Sequence, residues 1–296
     1  TTPYPHATVY VGNDLAAFDE GAREHMADVV KPAGELWAVY AGTLGASYDL
    51  ATLIKAAALL EKRRAAHTAR TAAAGTARQH RPFPPVKVKI LGDGPDRQRL
   101  EELARQENAP VKFLGYQDHG SMAAWLRASD ITVNSLVKSA VQSIVTKIGD
   151  YLASGKPMIN TGSSPEFRNK VTTDGFGLNV EAENPGALAD VLEELARTPS
   201  LRKIMGARGR AVAEREFDQR TSYLAIVNLL RNLIYAPRFA SSSKGTPPCI
   251  SMRSCGRCLS RIAKEIPCPN RPASRFPRPI SPRPRPPRWP TRSGAD

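Results

Sequence analysis

The stretch WAVYAGTLGASYDL, residues 37–50, contains a strand-to-helix junction. Residues 37–42 (WAVYAG) form an apolar run of the length of a buried strand, and two glycines three positions apart, Gly42 and Gly45, follow it. A helix is predicted next, from about residue 49 to residue 64, because leucine and isoleucine recur there at helical spacing. A buried strand that leads through glycines into a helix is typical of a parallel α/β sheet.

The same alternation continues along the chain. Further strands are predicted at residues 86–91, 111–114, 131–134, 157–160 and 177–180, and further helices at residues 95–106, 121–128, 144–153, 185–197, 200–217 and 220–235. Right-handed crossovers between such elements predict a doubly wound, Rossmann-like α/β fold with helices on both faces of a parallel sheet. Residues 65–85 lack apolar periodicity and end in prolines, which predicts a surface insertion.

The composition changes abruptly near the end of this region. Residues 237–296 hold 13 of the 42 basic residues but 2 of the 28 acidic ones, together with 13 of the 25 prolines and all four cysteines. The formal net charge of +14 therefore comes mainly from this tail, and the first 236 residues carry a surplus of only 3. Near-neutral charge over the predicted sheet argues against a nucleic-acid-binding domain there.

The tail has two interpretations. Cys249, Cys255, Cys258 and Cys268 beside arginine and proline could form a zinc knuckle with a basic arm. A single C-x-x-C with irregular outer spacings is a weak zinc signal, so a disordered Pro/Arg-rich extension is the favoured interpretation. Salt-sensitive contact with anionic lipid or RNA is the interaction that this charge favours, without a specific nucleic-acid site.

The sequence thus divides into three parts. Residues 1–35 are interpreted as a linker with a remnant of a preceding domain, residues 36–236 as the Rossmann-like domain and residues 237–296 as the tail. No apolar run approaches the ~18–20 residues that span a bilayer. With no secretory signal recognised either, the expected location is the cytoplasm.

Ligands of a doubly wound sheet bind beyond the carboxyl ends of the strands. Gly42 and Gly45 follow the first predicted strand and Gly92 the second, at positions where glycine lets the backbone turn and approach a ligand. Each could equally be a tight turn without a ligand.

Three polar residues lie in the helix predicted at residues 144–153. Thr146 and Asp150 would share one face of it, and Lys147 is adjacent. Lysine can neutralise a phosphate, and a carboxylate can accept hydrogen bonds from ribose hydroxyls. The alternative is a solvated pair of charges at an exposed helix end.

The succession of these segments resembles the donor domain of family 4 glycosyltransferases of the GT-B type. The colinear motifs are G-x-L-G, I-L-G-D-G-P, F-L-G-Y, A-S-D-I and D-Y-L-A-S-G-K-P-M-I. The segment VYVGNDLAAF, residues 9–18, is similar to the linker that precedes this domain in the family. The resemblance extends over residues 9–236 and implies the C-terminal, nucleotide-sugar-binding half of a GT-B fold.

The resemblance also implies a donor site and an activity. The family transfers a sugar from a nucleotide-sugar with retention of anomeric configuration and without a metal or other cofactor, so a UDP- or GDP-sugar is the expected substrate. The final acidic residue of the family's E-x7-E motif binds the ribose and corresponds to Asp150, whereas the first glutamate of that motif has no counterpart here. The full set of donor-binding residues implied is Gly42, Thr43, Gly45, Gly92, Tyr116, Thr146, Lys147 and Asp150, with the first three beside the diphosphate and Tyr116 beside the base.

This chain departs from the family at two cations. The arginine and lysine that usually balance the diphosphate are replaced by Thr43 and Tyr48, so donor binding should weaken unless Lys147 or another cation substitutes for them. Exopolysaccharide and lipopolysaccharide members of the family resemble this chain in Y-A-G-T-L-G-x-S-Y-D-L. That likeness implies synthesis of a cell-surface polysaccharide or glycolipid, with peripheral contact at the inner face of the membrane.

The acceptor-binding domain of the family precedes the linker, and only eight residues precede Val9 here. The expectation is therefore a donor-binding half that is inactive alone and needs that domain as a partner, and no catalytic residue is assigned. Alternative functions are a nucleotide-sugar epimerase of the same fold, a non-catalytic nucleotide-binding fragment and, through the tail, a nucleic-acid-binding protein.

Overall fold

A computed structural model describes residues 9–73, 83–140 and 144–235. Its strands form one sheet: β1 (Leu36–Ala41), β2 (Val86–Leu91), β3 (Val111–Gly115), β4 (Ile131–Asn134), β5 (Met158–Asn160) and β6 (Gly177–Asn179). Their order is β3-β2-β1-β4-β5-β6, and every neighbouring pair is parallel. This is the strand order of a doubly wound Rossmann-like sheet, so the predicted fold class is confirmed.

The α-helices in the described part of the chain are α1 (Leu15–Glu24), α2 (Leu50–Ala73), α3 (Arg97–Gln106), α4 (His119–Ala128), α5 (Ile148–Ala153), α6 (Pro165–Asp174), α7 (Pro185–Arg197), α8 (Pro199–Val212) and α9 (Gln219–Tyr235). The sequence did not predict α1 or α6. Helix α6 nonetheless carries strong boundary signals, because the Ser164 hydroxyl accepts from the Phe167 N–H and Gly175 ends the helix with a φ of 64°.

The surface insertion predicted at residues 65–85 is wrong at both of its ends. Helix α2 continues to Ala73 because residues 65–73 (AAHTARTAA) are rich in alanine, the strongest helix former. At the other end Phe83 is buried in the core, and the guanidinium of Arg197 lies 4.7 Å from its ring centroid. Residues 74–82 lie outside the described residues, as does the predicted tail at residues 237–296.

The sheet separates two apolar cores. Strand β1 is buried along its whole length because its side chains alternate between them, with Ala38 and Tyr40 in one core and Trp37 and Val39 in the other. Helices α2 and α7 pack together over the first core, and α1 and α4 pack together over the second. The continuous apolar run of residues 37–41 in the sequence is therefore explained by helices on both faces.

Helix α1 is fastened to the sheet domain by a cluster of charges. Asp19 accepts hydrogen bonds from Arg210 at 2.7 and 2.8 Å and also forms an ion pair with Arg127. Asn13, just before the helix, exchanges backbone hydrogen bonds with the segment around Asp218, through its N–H to the Phe217 carbonyl at 2.7 Å. Residues 13–24 thereby bridge α4 and α8.

Helix α9 has an exposed apolar face, formed by Tyr223, Leu224, Ile226, Val227, Leu230, Leu233 and Ile234. In the described ranges, no helix combines the length and apolar character needed to cross a bilayer.

Candidate functional site

Strands β1 and β4 are adjacent in the sheet but lead to helices on opposite sides, which makes the gap between their carboxyl ends the topological switch point. The two strands pair only through Ala38–Ile131 and Val39–Thr132 and then separate. Beyond that point the Tyr151 hydroxyl accepts from the Ala41 N–H at 2.8 Å and donates to the Ala41 carbonyl at 3.0 Å. A side chain of α5 thus satisfies the backbone that the separation leaves unpaired.

The turns after β1, β2 and β3 are stacked on one another. Gly42 donates its N–H to the Leu91 carbonyl at 3.0 Å, and Gly92 donates to the Gly115 carbonyl at 2.7 Å. A Cβ at position 92 would lie 1.9 Å from the Gly42 carbonyl oxygen, and the φ of Gly92 is +118°. Only glycine permits so close an approach of two backbones in this conformation.

These turns enclose a cavity of about 290 Å³, lined by Ala41, Gly42, Thr43, Leu91, Gly92, Asp93, Tyr116, Gln117 and Met122. The structure therefore brings together four of the residues that the sequence singled out, namely Gly42, Thr43, Gly92 and Tyr116. Tyr116 is 79% exposed as a residue, so its aromatic side chain is open to a ligand. Gly45 does not line the cavity and instead starts the turn into α2, where its carbonyl accepts from the Tyr48 N–H at 2.9 Å.

Five lining residues were not singled out from the sequence: Ala41 and Leu91 at the strand ends, and Asp93, Gln117 and Met122. Asp93 belongs to the motif LGDGP, and its position directly after a strand-ending glycine is a usable signal. Gln117 follows Tyr116 in the turn after β3, and its side-chain amide donates to the Leu114 carbonyl at 2.9 Å. Met122 belongs to α4 and reaches the cavity through packing that no local pattern indicates.

Lys147 lies just before α5, and its ammonium is enclosed by aromatic rings. The Nζ atom is 4.0 Å from the ring centroids of both Tyr40 and Tyr48. A Cβ at position 42 would lie 3.3 Å from Nζ, so the ammonium is adjacent to the backbone that walls the cavity. Burial holds the pKa of Lys147 well below its ordinary value.

Asp150 is largely buried between α5 and α4, and its carboxylate lies 3.3 Å from His119 Nε2. Asp150 and His119 do not line the cavity, whereas Met122, one turn after His119, does. Burial raises the pKa of Asp150, and His119 and Asn13 offset that rise only in part. Because the folded state then holds this proton more tightly than the unfolded chain, the Asp150 carboxylate lowers stability progressively as pH rises through its folded pKa.

Thr146 is placed elsewhere. The prediction that it shares a helical face with Asp150 is wrong, because α5 begins only at Ile148. Three β-branched residues, Ile144, Val145 and Thr146, precede the helix, and such residues favour extended backbone. Thr146 lines a separate cavity of about 250 Å³ with Tyr10, Glu166 and Phe217 among others. Ser143, which was assigned to the position of the first glutamate of the E-x7-E motif, lies outside the described residues.

The described residues contain no group of three or more His, Cys, Asp or Glu side chains arranged to hold a metal ion. The tail cysteines, for which a zinc knuckle was the less favoured interpretation, lie outside this part of the chain.

Comparison with known proteins places this chain in a family. Residues 37–198 match the family described as Glycosyl transferases group 1. A GDP-mannose-dependent monoacylated alpha-(1-6)-phosphatidylinositol monomannoside mannosyltransferase of Corynebacterium glutamicum is 30% identical over 155 residues, which are 50% of this chain and 40% of that protein.

Solved structures share the fold. Anabaena HepE in complex with UDP matches with a TM-score of 0.58 at 16% identity over 76% of this chain and 57% of that one. The C-terminal domain of the group 1 glycosyl transferase LpcC of Francisella tularensis matches with a TM-score of 0.52 at 19% identity, over 70% of this chain and 100% of that one.

The chain spans 40% of the mannosyltransferase and 57% of HepE. The family match covers more than half of the chain, including β1 and the turns after β1, β2 and β3, and the sheet order is that of the Rossmann-like domain of a GT-B enzyme. The protein is a member of the group 1 glycosyltransferases.

Proposed function

We propose that this chain binds the nucleotide-sugar donor of a glycosyltransferase in the cavity formed by the turns after β1, β2 and β3. The observation that carries the proposal is the stacking of Gly42 on Gly92 at the carboxyl edge of the sheet, beside the switch point. Without side chains at these two positions, a diphosphate can approach the backbone of the turns closely. The proposal agrees with the two relatives, one named for GDP-mannose and one solved with UDP.

Each part of the donor is assigned to a group beside the cavity. The diphosphate lies along Gly42, Thr43 and Gly92. Among these three residues, only Thr43 has a side chain that could stand between the ligand and the backbone. The base lies against the exposed Tyr116, where stacking needs no particular base. The ribose hydroxyls donate to the Asp150 carboxylate, whose burial makes such charge-assisted hydrogen bonds strong. Gly45 supports the turn from β1 into α2. Thr146 is not assigned a role in donor binding, because it lines another cavity.

The wider activity is proposed from the same comparisons. The chain is the donor-binding part of a retaining enzyme that transfers a hexose to a cell-surface polysaccharide or glycolipid at the cytoplasmic face of the membrane. The enzyme needs no metal. Support comes from the motif Y-A-G-T-L-G-x-S-Y-D-L and from the relative whose name describes a phosphatidylinositol mannoside acceptor. Binding of the donor holds the sugar in one orientation. Such positioning lowers the barrier to sugar transfer.

Thermal melting with nucleotides tests the donor site. UDP, GDP and ADP are added separately, and the diphosphate that binds is expected to stabilise the fold by about 2.7 kcal/mol at 100 times its dissociation constant. For a domain of this size that corresponds to a rise in Tm of roughly 5–10 °C. No rise with any of the three nucleotides would contradict the proposal.

The variant Asp150→Asn tests the ribose assignment. It is expected to weaken nucleotide binding about tenfold, because a charge-assisted hydrogen bond is replaced by a neutral one. Without nucleotide, the same variant should be at least as stable as the native protein at pH 7, because the buried carboxylate is then gone. Lys55→Ala, on the exposed side of α2, is the control and should change neither quantity. A full nucleotide response in Asp150→Asn would contradict the ribose assignment.

A further inference from the structure

A basic cavity lies across the sheet from the donor cavity, at the edge where the strands begin. All strands are parallel, and Asp130 and Pro157 directly precede β4 and β5, so the space of about 420 Å³ beside them lies at the amino edge of the sheet. Its lining residues are Asp130, Gly155, Lys156, Pro157, Arg202, Lys203, Gly206, Ala207 and Arg210. Within the described part of the chain, the lining therefore has four cations and one carboxylate.

A close backbone contact brings these cations together. A Cβ at position 206 would lie 2.1 Å from the Gly155 carbonyl oxygen, so only glycine allows α8 to approach the turn between α5 and β5 this closely. Arg202, Gly206 and Arg210 are four residues apart and lie on one face of α8. The two arginines therefore lie on either side of the contact, and Lys156 follows Gly155 in the turn. Because Gly206 has no side chain, the space between the arginines stays open.

The two arginines are held in position by hydrogen bonds to neighbouring elements. The Arg202 guanidinium donates to the Ala196 carbonyl, near the end of α7, at 3.1 Å. Arg210 donates to both oxygens of Asp19, at 2.7 and 2.8 Å, and to the Ala153 carbonyl at 3.0 Å. Side chains that are already ordered lose little conformational entropy when a ligand binds, so both charges are in place before an anion arrives.

Lys156 and Lys203 have no carboxylate partner. Neither lysine forms an ion pair with any residue that the structure describes. The acid that lines the cavity, Asp130, accepts from the Trp37 N–H at 2.7 Å and forms an ion pair with Lys31. Its charge is therefore balanced by a residue that does not line the cavity, and the two lysines retain their N–H groups for a ligand.

Lys156 lies in a positive surrounding. Its side chain is half-buried, and burial is the main cause that lowers its pKa. Asp130 opposes this fall, whereas the charges of Lys31, Arg127 and Arg202 add to it. The neighbouring cations thus repel the ammonium, and an anion between them would relieve that repulsion.

We propose that the basic cavity binds a doubly charged phosphate group, either as free phosphate or as the head group of a phosphomonoester lipid. A carboxylate ligand has one negative charge, whereas a phosphomonoester has up to two and offers three oxygens that accept from ammonium and guanidinium groups. The surplus of cations in the lining favours the ligand with more charge. Because this site lies at the opposite edge of the sheet, the inference does not depend on the proposed donor site.

Chemical-shift titration with inorganic phosphate, at an ionic strength held constant with sodium chloride, tests the site. The largest changes should fall on the backbone amides of Gly155, Lys156 and Gly206. Lys156→Met keeps the length of the side chain without its charge and should weaken phosphate binding about tenfold, the lower end of the range for hydrogen bonds between charged groups. Lys156→Arg should retain the affinity. Lys55→Met, on the exposed side of α2, removes the same charge elsewhere and should bind as the native protein does.

Vesicles distinguish the two sources of phosphate. The full chain is sedimented with vesicles of phosphatidylcholine alone or mixed with phosphatidic acid, whose head group is a phosphomonoester. Residues 237–296 contain 13 basic and 2 acidic residues and attract any anionic vesicle, so the informative quantity is the difference between Lys156→Met and Lys55→Met, which have equal net charge. Weaker vesicle binding by Lys156→Met indicates a lipid head group. Equal vesicle binding, with weaker binding of inorganic phosphate by Lys156→Met, indicates free phosphate.

Equal behaviour of folded Lys156→Met and Lys55→Met towards both inorganic phosphate and vesicles would overturn the inference, as would phosphate-induced changes centred outside the basic cavity. A melting curve confirms that each variant is folded. If Lys156→Met does not fold, Lys203→Met takes its place. Lys203 is exposed, so the fold should tolerate its loss, and solvent screening limits the expected weakening to roughly threefold. The stabilisation by nucleotide should be the same in all these variants, since it reports on the donor site alone.

Discussion

Gly92→Ala is expected to destabilise the domain by roughly 3–5 kcal/mol and to abolish nucleotide binding. The new Cβ would meet the Gly42 carbonyl oxygen at 1.9 Å, and alanine would have to adopt a φ of +118°. Neither backbone can move aside freely, because Gly42 is bonded to Leu91 and Gly92 to Gly115. Backbone strain of this kind and overpacking each cost about 1–3 kcal/mol.

Urea unfolding measures this effect, with Gly186→Ala as the control. Gly186 lies in the first turn of α7, and a Cβ there would lie 3.4 Å from Asn184 Oδ1, which is ordinary van der Waals contact. Alanine at this position should be neutral or stabilising by up to about 1 kcal/mol, because alanine is the better helix former. A Gly92→Ala protein within about 0.5 kcal/mol of the native one would show that the two turns are not stacked as described.

Arg210→Ala is expected to lower the free energy of unfolding by about 2 kcal/mol at pH 7. The guanidinium donates to both Asp19 oxygens, to the Ala153 carbonyl at 3.0 Å and to Glu214 at 2.7 Å. Hydrogen bonds to charged groups contribute about 1.5–3 kcal/mol when they are well shielded. Asp19 is 40% exposed, so solvent screening reduces its share and the lower part of that range applies.

The same variant should change the dependence of stability on pH. Burial raises the pKa of Asp19, but hydrogen bonds and charge from Arg210 and Arg127 outweigh it and hold the pKa below its ordinary value. A depressed carboxyl pKa stabilises the fold above the unfolded-state pKa, and this contribution is lost as pH falls through the folded-state pKa. The difference between the native protein and Arg210→Ala should therefore shrink in acid.

Denaturation at pH 7 and at about pH 2.5, which is below the ordinary pKa of an aspartate, measures both effects of Arg210→Ala. Arg105→Ala is the control, because Arg105 is 72% exposed and forms a surface pair with Glu102. Such a pair contributes little, so the control should stay within about 0.5 kcal/mol of the native protein at both values of pH. An Arg210→Ala protein as stable as this control would mean that the charges do not fasten α1 to the domain.

Much of the fold could be predicted because its signals are local. Buried strands such as residues 37–41 are continuous apolar runs, and α7 begins and ends at the predicted residues. Helix α1 was missed because its sequence, LAAFDEGARE, is short and charged, and its apolar residues Leu15, Phe18 and Ala22 are buried only through contact with another helix. Whether such a segment forms a helix depends on tertiary packing, which a local sequence pattern does not show.

The candidate site could be predicted only where its residues follow strands directly. Gly42, Thr43, Gly92 and Tyr116 do so, and they share one cavity. The surroundings of Lys147 could not be predicted, because Tyr40, Tyr48 and Tyr151 come from three separate segments that meet only in the folded chain. Thr146 was misplaced for the opposite reason, since its predicted position rested on a helix boundary that lies two residues beyond it.

Chemical-shift mapping of backbone amides tests the central claim most directly. The isotope-labelled chain is titrated with UDP and GDP, and we expect the largest changes on Gly42, Thr43, Gly92, Asp93 and Tyr116, around the cavity of about 290 Å³. A second cavity, lined by Lys156, Arg202, Lys203 and Arg210 among others, could attract phosphate through charge alone. Changes confined to that basic cavity, or spread without a centre, would contradict a donor site at the carboxyl edge of the sheet.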